Sequence, residues 1–153
     1  MTFGYNYLKE HGAMKGSDYQ YKAVEESCKQ KEQEYVAQIL KYVELPAQDS
    51  AALKRAVAQN IVSVAVDARS WMSYAGGIIK DNCENKLNHG VAIVGYGIEE
   101  GTNHNYWIIK NSWGAAWGEN GYVRVEDTEE SGDGVCGINM DTTYAKVVEE
   151  IKA

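Results

Sequence analysis

Two short stretches constrain this chain more than anything else in it: Leu87–Gly97, LNHGVAIVGYG, and Lys110–Gly118, KNSWGAAWG. The first sets His89 at the mouth of an apolar run, Val91-Ala92-Ile93-Val94, closed by Gly95 and Gly97. A run that short, rich in β-branched residues and bounded by glycine, predicts a buried strand. The second stretch takes over where another predicted strand, Asn105–Lys110, gives way to Asn111 and two tryptophans spaced by glycines. If the two strands pair, His89 and Asn111 come to neighbouring strand ends. An imidazole facing a side-chain amide supplies two members of a nucleophilic triad.

The rest of the chain predicts elements around that pair. Phe3, Tyr7 and Leu8 at helical spacing give a helix over 1–11, with Gly12 as its stop. Residues 12–20 read as a loop and Glu25–Glu34 as a charged, solvated connection. A strand falls within Tyr35–Leu45, before Pro46. Asp49 or Ser50 then caps a helix through AALKRAVAQN, with Leu53, Ala56 and Val57 on one face and Lys54 and Arg55 toward water. Ile61–Asp67 predicts a buried strand, and Trp71–Ile79 an aromatic segment that bends at Gly76-Gly77. Strands follow at 91–96, Asn105–Lys110 and Tyr122–Glu126, then a solvated acidic loop at Asp127–Asp133 and extended chain over Cys136–Val147. Helix, strand and helix followed by strands on loops and hairpins is α+β with an antiparallel sheet, not a repeating βαβ pattern.

Length and charge narrow the function. The 153 residues suit one domain, with room for pieces of a second. A net charge of −7 argues against a nucleic-acid partner and against a basic membrane-binding face. No apolar run reaches the length of a membrane span, and the N-terminal residues lack the basic start and apolar core of a signal peptide. The acidic residues of 126–133 lack the alternating ligand spacing of a calcium loop, so no metal and no cofactor are expected.

NHGVAIVGYG followed by YWIIKNSWGAAWGENGYVRV resembles the C-terminal half of a papain-family cysteine peptidase of the cathepsin L group. The resemblance runs along nearly the whole chain. It implies a papain-like right domain, β-rich and barrel-like, over residues 35–153, with 1–34 a remnant of the helical left domain and its connection. It also implies that His89 takes the proton of a cysteine thiol, that Asn111 fixes the imidazole, and that Trp113 lies over the pair. Trp117, Ala65, Asn88, Gly90 and Asp141 match positions that line the substrate cleft, with Asp141 at the floor of the pocket for the second residue before the scissile bond. A carboxylate there favours a basic side chain; the alternative is an exposed aspartate with no such role. Cys83 and Cys136 match a family disulfide, and Cys28 a cysteine whose partner lies upstream.

The family's nucleophile lies about 130–150 residues before its histidine and asparagine. Here 88 residues precede His89, no Cys-Gly-Ser-Cys-Trp run occurs, and Cys28 sits in the hydrophilic stretch EESCKQK. Two readings follow. In one, the chain is the C-terminal part of a cysteine endopeptidase completed by an N-terminal half of the same fold, acting on peptide or protein substrates. In the other, it is an inactive relative serving as a binding or structural subunit. The resemblance implies a lysosomal or secreted setting.

Overall fold

A computed structural model of the chain describes residues 1–29 and 35–147, so the end of the Glu25–Glu34 connection lies outside the described residues. The elements are α1 (Thr2–His11), β1 (Ile39–Glu44), α2 (Ser50–Val57), β2 (Val62–Val66), β3 (Ile78–Ile79), β4 (His89–Ile98), β5 (Asn105–Lys110), β6 (Tyr122–Glu126) and β7 (Thr142–Val147). Single 3-10 turns stand at Trp71–Ser73 and Val135–Gly137. This is the α+β class that the sequence implies. The strands hydrogen-bond in the order β1-β7-β2-β4-β5-β6-β3.

Two features of the sheet differ from a closed antiparallel barrel. It is open, with β1 and β3 as edges, and β3 pairs with β6 in parallel. A parallel pair cannot be closed by a hairpin, and here the chain passes through β4 and β5 between β3 and β6. No helix among the described residues is long and apolar enough to cross a membrane.

The chain divides into two compact units. One comprises Met1–Val43 and takes up the chain again from Ala145; the other is Glu44–Tyr144. In the first, α1 starts one residue inside the predicted bounds and ends where predicted, but buries none of its residues, and Phe3 is 90% exposed. Gly12 ends the helix at φ 69°, its N–H donating to Leu8 O at 3.0 Å. A Cβ there would lie 2.8 Å from Tyr35, so both conformation and space require glycine.

The second unit holds the core. Alternate residues of four strands turn inward: Val62, Val64 and Val66 on β2, Val91 and Ile93 on β4, Trp107 and Ile109 on β5, Val123 and Val125 on β6. Each fully buried aliphatic side chain of this kind contributes about 1.5–3 kcal/mol. Leu53, Ala56 and Val57 of α2 join this core. The Asp49 carboxylate caps α2, accepting from Ala52 N–H at 2.8 Å, as the Asp-Ser start predicts.

The acidic loop is not wholly solvated. Asp127 is 5% exposed, accepts from Ser50 Oγ at 2.6 Å, and lies 3.5 Å from Lys54 Nζ. Lys54 therefore faces this loop and not open water, and also contacts Glu129 at 2.6 Å. The Glu129 hydrogen bond is the main reason its pKa is raised. Cys83 and Cys136 form the disulfide that the resemblance implies.

Candidate active site

The strand register builds the site. β4 and β5 are antiparallel with Ala92 opposite Lys110 and Ile93 opposite Ile109. His89 continues the inward row of Val91 and Ile93, and Asn111 continues the row of Trp107 and Ile109. Both therefore lie on the core face of the sheet, at the end where the aliphatic core stops. Asn111 is buried and its N–H donates to Gly121 O at 3.0 Å.

His89 Nε2 and Asn111 Oδ1 are 2.8 Å apart. The orientation of the amide follows from its second bond: Ser112 N–H donates to the same oxygen at 2.8 Å, so Oδ1, not Nδ2, faces the ring. A carbonyl oxygen only accepts, which places the proton on Nε2 and leaves the lone pair on Nδ1. Nδ1 has no partner among the described residues. Trp113 stacks on the imidazole with centroids 5.1 Å apart and 29° between planes. Trp117 meets Trp113 edge-on at 5.0 Å and is held by its own Nε1–H, which donates to Trp71 O at 3.0 Å. Gly118 turns the chain behind it at φ 55°, where a Cβ would come within 2.7 Å of Tyr122 O. The result is an imidazole of fixed tautomer, shielded on one face, with a free basic nitrogen: a group able to take a proton from an acid brought to Nδ1.

The remaining residues singled out from the sequence gather at the same strand end in two sets. Ala65 lies opposite Gly90, and Ala65 N–H donates to Asp141 O at 3.0 Å, so these three come together. Ala65 and Gly90 belong to the outward rows of β2 and β4 and Asp141 directly precedes β7, while His89 pairs with Val66 on the inward rows. Asn88 is exposed, yet its side chain is engaged: Nδ2 donates to Asp67 Oδ1 and Oδ1 accepts from Ala68 N–H, each at 3.0 Å. Among the described residues no group of three or more His, Cys, Asp or Glu side chains gathers as a metal centre.

Comparison with known proteins adds the family. The model for papain family cysteine protease matches residues 1–146. The chain belongs to the papain family of cysteine proteases. Among papain-family relatives, vignain of Phaseolus vulgaris is 42% identical over 149 residues, covering 94% of this chain and 41% of vignain. The KDEL-tailed cysteine endopeptidase of Arabidopsis thaliana is 39% identical over 148 residues, covering 94% of this chain and 40% of the relative. Among solved structures, an inhibitor complex of the bromelain protease from Ananas comosus superposes with a TM-score of 0.87 at 35% identity, over 93% of this chain and 66% of bromelain. Digestive procathepsin L 3 of Tenebrio molitor gives a TM-score of 0.84 at 38% identity, over 93% of this chain and 46% of the procathepsin. The chain thus spans about two fifths of the length of these curated papain-family relatives, and corresponds to their C-terminal part.

Sequence reasoning passed over several residues that shape this candidate site. Trp71 is fully buried and supplies the carbonyl that holds Trp117. Tyr74 packs on Trp117 at 5.4 Å. Glu119 takes a two-pronged bond from Arg124, which is the main reason its carboxyl sits below the usual range, and accepts from Gly77 N–H at 2.9 Å. Trp71 was marked by its rarity, as one of four tryptophans in the chain. The Glu119–Arg124 pair carries no local signal, since it spans a turn and a strand.

Proposed function

We propose that this chain is the C-terminal part of a papain-like cysteine endopeptidase, in which His89 is the general base and Asn111 orients it. The nucleophilic cysteine comes from polypeptide outside these 153 residues, as an N-terminal half of the same fold. The observation that carries the proposal is the 2.8 Å His89–Asn111 contact with Nδ1 left open beneath Trp113.

In this reading Nδ1 takes the proton of the incoming thiol. The thiolate adds to the scissile carbonyl, and the imidazolium returns its proton to the departing amine. A thioester remains. Nδ1 then takes a proton from water as the hydroxide adds to the thioester carbonyl; the C–S bond breaks, the peptide acid leaves, and the sulfur is released as thiolate beside the imidazolium. Asn111 holds the tautomer throughout, and Trp113 keeps water from the Nε2–Oδ1 bond. Trp117, Ala65, Asn88, Gly90 and Asp141 border the cleft. The Asp141 carboxylate selects a basic side chain two residues before the cleaved bond, which paired substrates with Arg or Leu there would test.

Residues 1–34 then belong with the helical left domain, and 35–153 form the right domain. The exposed apolar side chains of α1 support that division. The disulfide suits an oxidising setting, secreted or lysosomal. Substrates are peptides or proteins, and the acidic charge of −7 disfavours nucleic acid.

The test is labelling by a thiol-directed epoxide. The chain joined to the N-terminal portion of a relative should form one adduct, on the joined cysteine, and the adduct should be lost in His89→Ala. A joined protein that folds but takes no label would favour the inactive binding or structural subunit instead.

A further inference from the structure

We propose that Asp67 is a positioning residue for His89, acting through the side chain of Asn88. The proposal rests on the reading of His89 and Asn111 as the catalytic pair, and it deepens that reading by naming what places the imidazole.

Asp67 is the first residue past β2 and is 1% exposed. Its Oδ1 accepts from Asn88 Nδ2 at 3.0 Å and from Arg69 Nε at 2.9 Å, and its Oδ2 accepts from the Arg69 guanidinium. Asn88 makes three more bonds: its Oδ1 accepts from Ala68 N–H at 3.0 Å, its own N–H donates to Val66 O at 2.9 Å, and its Nδ2 also donates to Lys86 O at 3.1 Å. The residue immediately before His89 is thus tied to three consecutive residues, 66 to 68. His89 itself lies opposite Val66. Asp67 is anchored in turn, since its N–H donates to Cys136 O at 2.9 Å, beside the disulfide to Cys83.

The chemistry requires a carboxylate at 67. Asn88 Nδ2, Arg69 Nε and the Arg69 N–H converge on Oδ1 and the Arg69 guanidinium on Oδ2, so both oxygens must accept. Arg69's hydrogen bonds, opposed by the cost of burial, hold its carboxyl well below the usual range, so it stays an acceptor at neutral pH. Asn88 is exposed, so its order comes from these bonds. A displacement of about 1 Å at a catalytic group is enough to lose about a hundredfold in rate. The turn entering β4 is where such a displacement of His89 would arise.

The test uses the full 153-residue chain with labelled histidine, reading the Nε2 proton of His89 that Asn111 holds. That proton reports position whether or not any peptide is cleaved, so failure of the catalytic reading and failure of this one are separable. Asn88→Ala, at an exposed residue, should leave the tryptophan signals of the core in place. It should speed exchange of the His89 proton about tenfold or more, the scale of a lost hydrogen bond to a charged group. Asp67→Leu, of similar volume, leaves Asn88 Nδ2 without this acceptor and should do the same. If Asp67→Leu does not fold, Asn88→Ala alone decides. A His89 proton unchanged in Asn88→Ala, or unchanged in a folded Asp67→Leu, would overturn the proposal.

Discussion

The inward rows of β5 and β6 run in opposite directions, so the core of the larger unit has two polar ends, and they are finished differently. At one end the β6 row of Val123 and Val125 continues to Asp127, which is met by Ser50 and Lys54 of α2. At the other the β5 row of Trp107 and Ile109 continues to Asn111, which is met by His89. The Asp127 end is charged, buried and supplied with partners from its own unit. The His89 end pairs an imidazole with an amide under an aromatic cover, with Trp113 still 36% exposed and Nδ1 unmatched among the described residues. A closed polar cluster stabilises; one left open at a defined atom is equipped to react. The contrast supports the proposed placement of function at one end of a sheet whose strands are otherwise alike.

Substitutions at the two ends should separate accordingly. The largest effect belongs to His89→Ala in the chain joined to a relative's N-terminal portion: peptide cleavage, measured as kcat/KM, should fall by about a thousandfold or more with little change in melting. Asp127→Ala should do the reverse. Denaturant melts should show a loss of about 2–3 kcal/mol, because Ser50 Oγ is left buried without its acceptor. Cleavage by the molecules that remain folded should be unchanged. Asn111→Ala should lower kcat about thirtyfold, as removal of one hydrogen bond to an imidazolium does. Equal activity losses at the two ends would dissolve the comparison.

The smallest effect at neutral pH is an acid one. The Asp67 carboxyl is depressed, chiefly by Arg69, so its stabilisation is fully present above its unfolded value of about 3.9 and fades as pH falls through that value toward the lower native one. Melting scans from pH 7 to pH 3 should show this slope in the parent and a shallower one in Asp67→Asn.

Much of this was legible before any coordinates. The Asp-Ser start and the i, i+3, i+4 apolar spacing of Leu53, Ala56 and Val57 gave α2, and β5 and β6 begin and end where alternation begins and ends. His89 and Asn111 were readable because each sits beside its own strand and glycine signals. What stayed hidden depends on residues far apart. Asp127 looks solvated within its acidic run, and only Ser50, 77 positions away, makes it buried. Asp67 closes a β-branched run without any local mark, and its role needs Asn88 from another strand entry. The two-residue β3 is too short for periodicity to detect, so its parallel pairing with β6 could not be foreseen.

The most direct measurement is the pH dependence with which a small alkylating agent attacks the cysteine brought to His89 in the joined protein. A thiol paired with this imidazole should remain reactive well below neutrality, as a thiolate of pKa about 3.5–7.5 does, and should lose that low-pH reactivity in His89→Ala. A rate that instead falls tenfold for each pH unit below about 8.5, with or without His89, is that of an ordinary thiol and would contradict the account.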